Sequence, residues 1–367
     1  MPCLRLIDVD KSYKGEKILD RFNLQVNDGE TLVIFGPSGG GKTVLLRMIS
    51  GMIEPDAGRI MRDDDDITDL EPQYRNMGMA FQNFALFPHM TAFENIASPL
   101  RAHKKTNQEI TTAVLSIAAL LKIDHVLSHL PRALSNGQKQ RTALARALVN
   151  APSLLLLDDP LRNVDAKLRF EMRLELPRLL AQQGTTVIYV TQDYKEAMAL
   201  ADRIAVVRDG HIIQLANPQE IYHTPADVEV ARLFGDPPIN LFEIVPRKDN
   251  KTTLIDLAGH TIELKKAKAG LDRPCLLGLR PEVLSLAKKD TPRAIPITIE
   301  AKTPLNEKTV ILAVTEQGQE LLISRPSQEP DQVNERAYLT FEPEQALLFD
   351  QASGENLQNN LHQESSS

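Results

Sequence analysis

The sequence predicts an α/β domain built on a parallel, helix-flanked sheet and carrying a helical subdomain, followed by a small all-β domain. Three observations carry this prediction. Wholly apolar runs such as TLVIF and SLLLLD, which suit strands buried on both faces, alternate with segments of helical periodicity. After Asp236-Pro237-Pro238 the texture changes to short strand-like segments spaced by Gly, Pro, Asp and Lys. The 367 residues also exceed the size at which a single core usually keeps growing, so two domains are expected.

From the N-terminus, LRLIDVD alternates, NDGE is a turn, and TLVIF is a short buried strand. Helical periodicity covers 105–150 and 165–183, while SLLLLD, TTVIYVT and RIAVVRDGHIIQL read as further strands. The domain then spans 1–235, with its helical subdomain at about 86–152. Residues 236–350, with TTLIDLA, HTIELK, AIPITIEA, TVILAVTE and ELLISRP, read as a barrel or sandwich. The stretch 351–367, QASGENLQNNLHQESSS, is polar and amide-rich and is expected to be a disordered tail.

Composition narrows the function classes. No apolar run approaches the roughly 18 to 20 residues of a membrane span. The N-terminus MPCLRLIDVD has no basic segment, apolar core and cleavage site, which favours the cytoplasm. Cys3 and Cys275 stand far apart without metal-ligand spacing, against a disulfide framework or zinc site. A net charge of −7 gives no general attraction to nucleic acid, so none is expected as a partner. RDDDDITD reads as a solvated acidic turn, since it lacks the glycine and terminal glutamate of a calcium loop.

GPSGGGKT follows the strand TLVIF and opens the helical stretch TVLLRMISGM, the context that the G-x-x-x-x-G-K-[ST] pattern requires. Gly36, Pro37, Ser38, Gly39, Gly40 and Gly41 would wrap the backbone around a nucleotide triphosphate, with N–H groups and the helix N-terminus facing the anion. Lys42 would reach the β- and γ-phosphates, and the Thr43 hydroxyl would bind Mg²⁺. This makes the first domain a P-loop nucleotide-binding domain. LLLLDDPLRNVD supplies the second strand such a loop needs. Asp158 at its end would face Mg²⁺, and Asp159 would orient or polarise the attacking water.

These residues and those that follow resemble the ATP-binding subunit of ABC transporters. ALSNGQKQRTALARAL is similar to the family's signature segment, in which Ser135, Asn136, Gly137 and Gln138 would face the γ-phosphate bound by the opposite subunit. Tyr13 resembles the aromatic that stacks on adenine. Gln82 resembles the glutamine that joins the nucleotide and its Mg²⁺ to the membrane partner, and Asp165 matches the loop crossing the dimer interface. His89 and Glu94 fall in the segment that docks on membrane partners, without a catalytic role. GDPPINLFEI leading to LLGLRPEVL, with Gly278, Arg280, Pro281 and Glu282 in a recurring turn, resembles the C-terminal TOBE or OB-like barrel of sugar-importer ATPases. Similar barrels occur in polyamine and iron importers. The resemblance implies a peripheral ATPase on the cytoplasmic face of the inner or plasma membrane. Its partners would be two integral-membrane permeases and, indirectly, an external solute-binding protein.

Three positions depart from the family's pattern, which has glutamate at Asp159, histidine at Gln192 and glycine at Asn136. An aspartate stops roughly 1.5 Å short of a glutamate, a misplacement that slows hydrolysis. Gln192 can donate a hydrogen bond to the γ-phosphate but cannot become a cation. Asn136 is milder, because asparagine tolerates φ > 0 and its amide can donate. The two stronger departures share one half-site, which favours pairing with a second, non-identical ATPase over a homodimer. A hydrolysis-poor subunit that mainly holds the dimer closed is one alternative. A non-transport ABC ATPase acting on nucleic acid or ribosomes is another.

Overall fold

A computed structural model describes residues 2–249, 252–264, 273–288, 291, 294–305, 307–327 and 333–358. The chain divides into two compact units, Met1–Pro218 and Gln219–Ser367.

The first unit contains β1 (Pro2–Tyr13), β2 (Glu16–Asn27), β3 (Thr31–Phe35), α1 (Lys42–Ile49), β4 (Ala57–Arg62), β5 (Asp65–Asp66) and β6 (Met77–Ala80). After these come α2 (Ala92–Ala102), α3 (Asn107–Leu120), α4 (Asn136–Leu148), β7 (Leu154–Asp158), α5 (Ala166–Gln183), β8 (Thr186–Thr191), α6 (Tyr194–Leu200), β9 (Arg203–Arg208) and β10 (His211–Ala216). Six strands form a sheet in the order β10-β9-β3-β8-β7-β6, in which all but the antiparallel edge strand β10 run parallel. The sequence did not separate a second sheet, antiparallel and ordered β2-β1-β4-β5. It covers one face of the first.

This arrangement explains the four leucines of β7. Leu154 and Leu156 join Leu32, Ile34, Ile188 and Val190 in the core shared with Leu4, Leu6 and Phe22 of the second sheet and with Leu45 and Leu46 of α1. Leu157 faces the other way, toward Leu144 of α4 and Met172 and Leu176 of α5. Period-2 side chains need apolar partners on both faces, so the strand cannot alternate.

The helical region is not continuous over 105–150. It breaks between α3 and α4 at short 3-10 turns, Asp124–Val126 and Pro131–Ala133. Helices α2, α3 and α4 each start at a reciprocal capping box: Thr91 with Glu94, Thr106 with Glu109, and Ser135 with Gln138. In the acidic stretch Asp63–Asp69, Asp66 accepts from the Thr68 N–H and hydroxyl, forming a local turn at the β4–β5 hairpin.

The second unit opens with α7 (Pro218–His223) and α8 (Val228–Leu233), and its strands run from β11 (Asn240–Ile244) to β21 (Leu347–Asp350). Between these lie β12 (Arg247–Asp249), β13 (Thr252–Leu257), β14 (His260–Leu264), β15 (Cys275–Leu279), β16 (Ser285–Ala287), β17 (Ile295–Leu305), β18 (Lys308–Thr315), β19 (Glu320–Pro326) and β20 (Arg336–Thr340). Every pairing among them is antiparallel, in sheets ordered β11-β15-β21, β12-β13-β14 and β16-β20-β17-β18-β19. Their inner faces share one core that includes Phe242, Ile255, Leu277, Ile297 and Ile323.

Two boundaries differ from expectation. The units separate at 218/219, not at 235/236, because α7 and α8 are tied to the β-rich part. The buried Arg280 guanidinium donates to the carbonyls of Tyr222 and Phe234 and lies 3.6 Å from the Tyr222 ring centroid. The tail, too, begins later than its composition suggests. Asn356 is buried, and its amide donates to the Pro225 carbonyl at 2.8 Å, while Val228 N–H donates to Gly354 O. Polar residues settle there because each amide finds a backbone partner. Residues 359–367 lie outside the described residues.

Candidate nucleotide-binding site

β3 delivers the chain into the glycine loop and α1 receives it. Two glycines are demanded by sterics. A Cβ on Gly36 would stand 2.3 Å from the Val207 carbonyl oxygen of β9. Gly41, just before α1, has φ 81, and a Cβ there would meet Ile18 at 2.9 Å. Lys42 is buried, and its ammonium donates to the carbonyls of Gly36 (2.8 Å) and Pro37 (2.6 Å). Two of its three protons thereby close the loop on itself. Burial pushes the lysine pKa down, and Asp159 and Asp158 oppose that shift.

β7 ends beside the loop. The Thr43 hydroxyl donates to Asp158 Oδ1 at 3.0 Å, a pair of hard oxygen ligands of the kind Mg²⁺ takes. Asp159 leaves the strand with φ 45 while its N–H donates to Val190 O of β8 at 2.9 Å, which turns its side chain away from the line of the strand. Burial raises the pKa of both carboxylates. For Asp158 the Thr43 hydrogen bond partly offsets this, and for Asp159 the nearby Arg162 does. One residue beyond β8, Gln192 accepts from the Ser38 hydroxyl at 2.7 Å, which leaves its NH₂ to donate.

These groups surround one cleft of about 320 Å³. Of the residues expected from the sequence, Tyr13, Ser38, Gly39, Gly41, Lys42, Thr43, Gln82, Asp158, Asp159 and Gln192 line it. Tyr13 is 43% exposed, with Lys11 Nζ 5.5 Å from its ring centroid. Gln82 follows β6, where its carbonyl accepts from Asn163 at 3.0 Å. Gly36 and Pro37 contribute the carbonyls that hold Lys42, and Gly40 N–H closes a turn onto Pro37 O.

The signature segment is not brought to this cleft. Ser135 caps α4, with Gln138 N–H donating to its hydroxyl at 3.3 Å and its own N–H donating to Gln138 Oε1 at 3.0 Å. Gly137 packs so closely on Leu168 that a Cβ would stand 2.3 Å from it. Asn136 corrects an expectation: it begins α4 and is absent from the positive-φ residues, so a left-handed backbone is not why asparagine is tolerated. Its side chain is exposed on the first helical turn, where the backbone makes no demand for glycine.

Two residues of this region went unnoticed in the sequence. Arg162 lines the cleft and pairs with Asp159, and Glu196 is buried under β8, accepting from Tyr189 and Thr191 hydroxyls at 2.8 and 2.9 Å. The signals were faint: an arginine three residues past a carboxylate across a Pro turn, and a glutamate on an amphipathic helix.

Comparison with known proteins bears on this geometry. Residues 19–162 match the ABC transporter family model, and residues 277–349 match that of the TOBE domain. The sn-glycerol-3-phosphate import ATP-binding protein of Cereibacter sphaeroides is 40% identical over 359 residues, spanning 97% of this chain and all of that protein. The chain belongs to the ABC transporter family. Within it, the trehalose/maltose import ATP-binding protein of Thermococcus litoralis is 42% identical over 294 residues, 77% of this chain and 79% of that one. The spermidine/putrescine import ATP-binding protein of Haemophilus influenzae is 41% identical over 292 residues, 79% and 78% of the two chains. An ATP-binding cassette solved as a dimer in a post-hydrolysis state with ADP and Pi is 31% identical, with a TM-score of 0.54, covering 59% of this chain and 98% of that one. This ABC protein is accordingly an ATPase with a P-loop α/β unit, a helical subdomain and a C-terminal TOBE domain.

Proposed function

We propose that the chain is the energy-coupling subunit of an importer for a carbohydrate or related small solute, acting with two permeases and an external solute-binding protein at the cytoplasmic face of the membrane. The observation that carries the chemistry is the Thr43–Asp158 contact beside the closed glycine loop, which supplies a triphosphate cradle and a cation site in one cleft. Thr43 and Asp158, with Gln82 nearby, would hold Mg²⁺, which when bound neutralises phosphate charge. In hydrolysis the water oxygen bonds to the γ-phosphorus as the bridging P–O bond breaks, and ADP leaves with that electron pair. Asp159, its proton affinity raised by burial, orients the water and accepts its proton, and the Gln192 NH₂ donates to a γ-phosphate oxygen.

The signature's distance from this cleft fits a dimer in which Ser135, Asn136, Gly137 and Gln138 complete the site of the opposite subunit. A second reading, pairing with a non-identical ATPase, is favoured because Asp159 and Gln192 line the same cleft, so a hetero-pair confines both departures to one site. Native mass spectrometry of the complex from its own source tests this: two copies of this chain and no second ATPase would exclude it. The solute class is tested by ATP turnover of the assembled transporter against glycerol 3-phosphate, maltose and spermidine. Stimulation by spermidine alone would overturn the carbohydrate assignment.

A further inference from the structure

Asp159, Pro160, Leu161 and Arg162 form a tight turn with proline at its second position, closed by Arg162 N–H donating to Asp159 O at 3.3 Å. The turn is anchored from below, where Leu161 is fully buried with Val164 and Met172. Arg169 holds its far side by donating to the carbonyls of Arg162 (3.4 Å) and Val164 (3.1 Å). The side chains at the two ends of this fixed turn therefore meet, with Arg162 Nη1 3.6 Å from Asp159 Oδ2.

This is not an ordinary surface ion pair, in which both partners are solvated and little is gained. The Asp159 side chain is only 13% exposed, so its pairing with Arg162 is shielded on the carboxylate's side. The guanidinium, 48% exposed, lines the nucleotide cleft and also a neighbouring cleft of about 380 Å³. Asp159, Arg162 and Gln192 line both clefts and so form the wall between them. A short carboxylate has little reach to spare, so its rate contribution depends on which way its oxygens face.

We propose that Arg162 is a positioning residue for ATP hydrolysis, engaging Oδ2 of Asp159 so that Oδ1 is presented to the attacking water. The proposal rests on the reading of Asp159 as the water-orienting carboxylate. The arginine supplies the orientation that a longer side chain would otherwise provide by reach.

The test uses the full chain in its assembled complex, with kcat, KM for ATP, and affinity for a non-hydrolysable ATP analogue measured for each variant. Arg162→Ala should lower kcat roughly tenfold with KM and analogue affinity within about twofold of wild type, and Arg162→Lys should recover part of the loss where Arg162→Gln does not. In an Asp159→Asn background, Arg162→Ala should cost less than about twofold more, because its target is gone. The proposal is overturned if Arg162→Ala leaves kcat unchanged or raises it, if it acts mainly on KM, or if its effect is equal in both backgrounds. Failure of the underlying reading looks different: Asp159→Asn would itself retain wild-type turnover.

Discussion

Lys42, Thr43 and Asp158 on one side of the cleft, and Asp159, Gln192 and Arg162 on the other, are held by different kinds of structure. The first group sits at the junction of β3, α1 and β7, where each polar contact is backed by fully buried residues such as Leu45, Leu46 and Leu156. The second sits in turns just past the ends of β7 and β8, where Gln192 is fixed by one hydroxyl and Asp159 by one half-exposed arginine. All of the departures at this cleft fall on the second side. On the proposed reading, binding would be built into the core and the rate of hydrolysis set at its margin, where one substitution changes reach or charge without disturbing packing.

Three experiments probe that contrast. The largest effect is expected at the core side: Lys42→Ala should lower ATP affinity or turnover by at least about 100-fold, since it removes the cation that the glycine loop itself holds through the Gly36 and Pro37 carbonyls. Calorimetry and turnover both near wild type would erase the distinction. At the margin, Asp159→Glu combined with Gln192→His should raise turnover of the assembled complex by roughly tenfold while leaving ATP affinity alone, and each change singly should give less than its share. A double variant no faster than wild type would place the limit elsewhere.

The smallest effect concerns the support beneath the margin. Glu196, buried against Tyr189 and Thr191 and near Asp193 and Asp159, has its pKa raised to about 7 by burial. The folded state therefore holds a proton that the unfolded chain releases at an ordinary carboxylate pKa, so this contribution to stability is greatest at low pH and falls as pH rises toward 7. Urea melts should show a loss of about 1 kcal/mol between about pH 6 and pH 7 that Glu196→Gln removes. An unchanged pH dependence in that variant would assign the titration to another group.

The sequence was most informative where one physical rule acts alone. β7 was legible because a strand covered on both faces has no polar position, and the glycine loop because its spacing is a steric requirement that Gly36 and Gly41 meet. The strands of the second unit were legible from their alternation, as in Lys308–Thr315, where buried and partly buried residues alternate strictly. What stayed hidden depended on partners distant in sequence. Arg280 reaches back 58 residues to Tyr222, which moves the unit boundary and gives the GLRPEV turn its purpose. Asn356 reaches 131 residues to Pro225, and local composition has no means of announcing such a contact. Arg162 lies close to Asp159 in sequence yet was missed, because the closing of the turn depends on the burial of Leu161 against Met172 and on Arg169 holding the Arg162 and Val164 carbonyls.

Arg280 also sets a rule for anyone recombining this chain with a relative. A junction placed after residue 235, where the composition changes, would take the arginine from one parent and the carbonyls of Tyr222 and Phe234 from the other. The hybrid would then depend on two independently evolved surfaces agreeing around a buried positive charge. A junction at 218 transfers the arginine, its stacked tyrosine and both helices as a single heritable block.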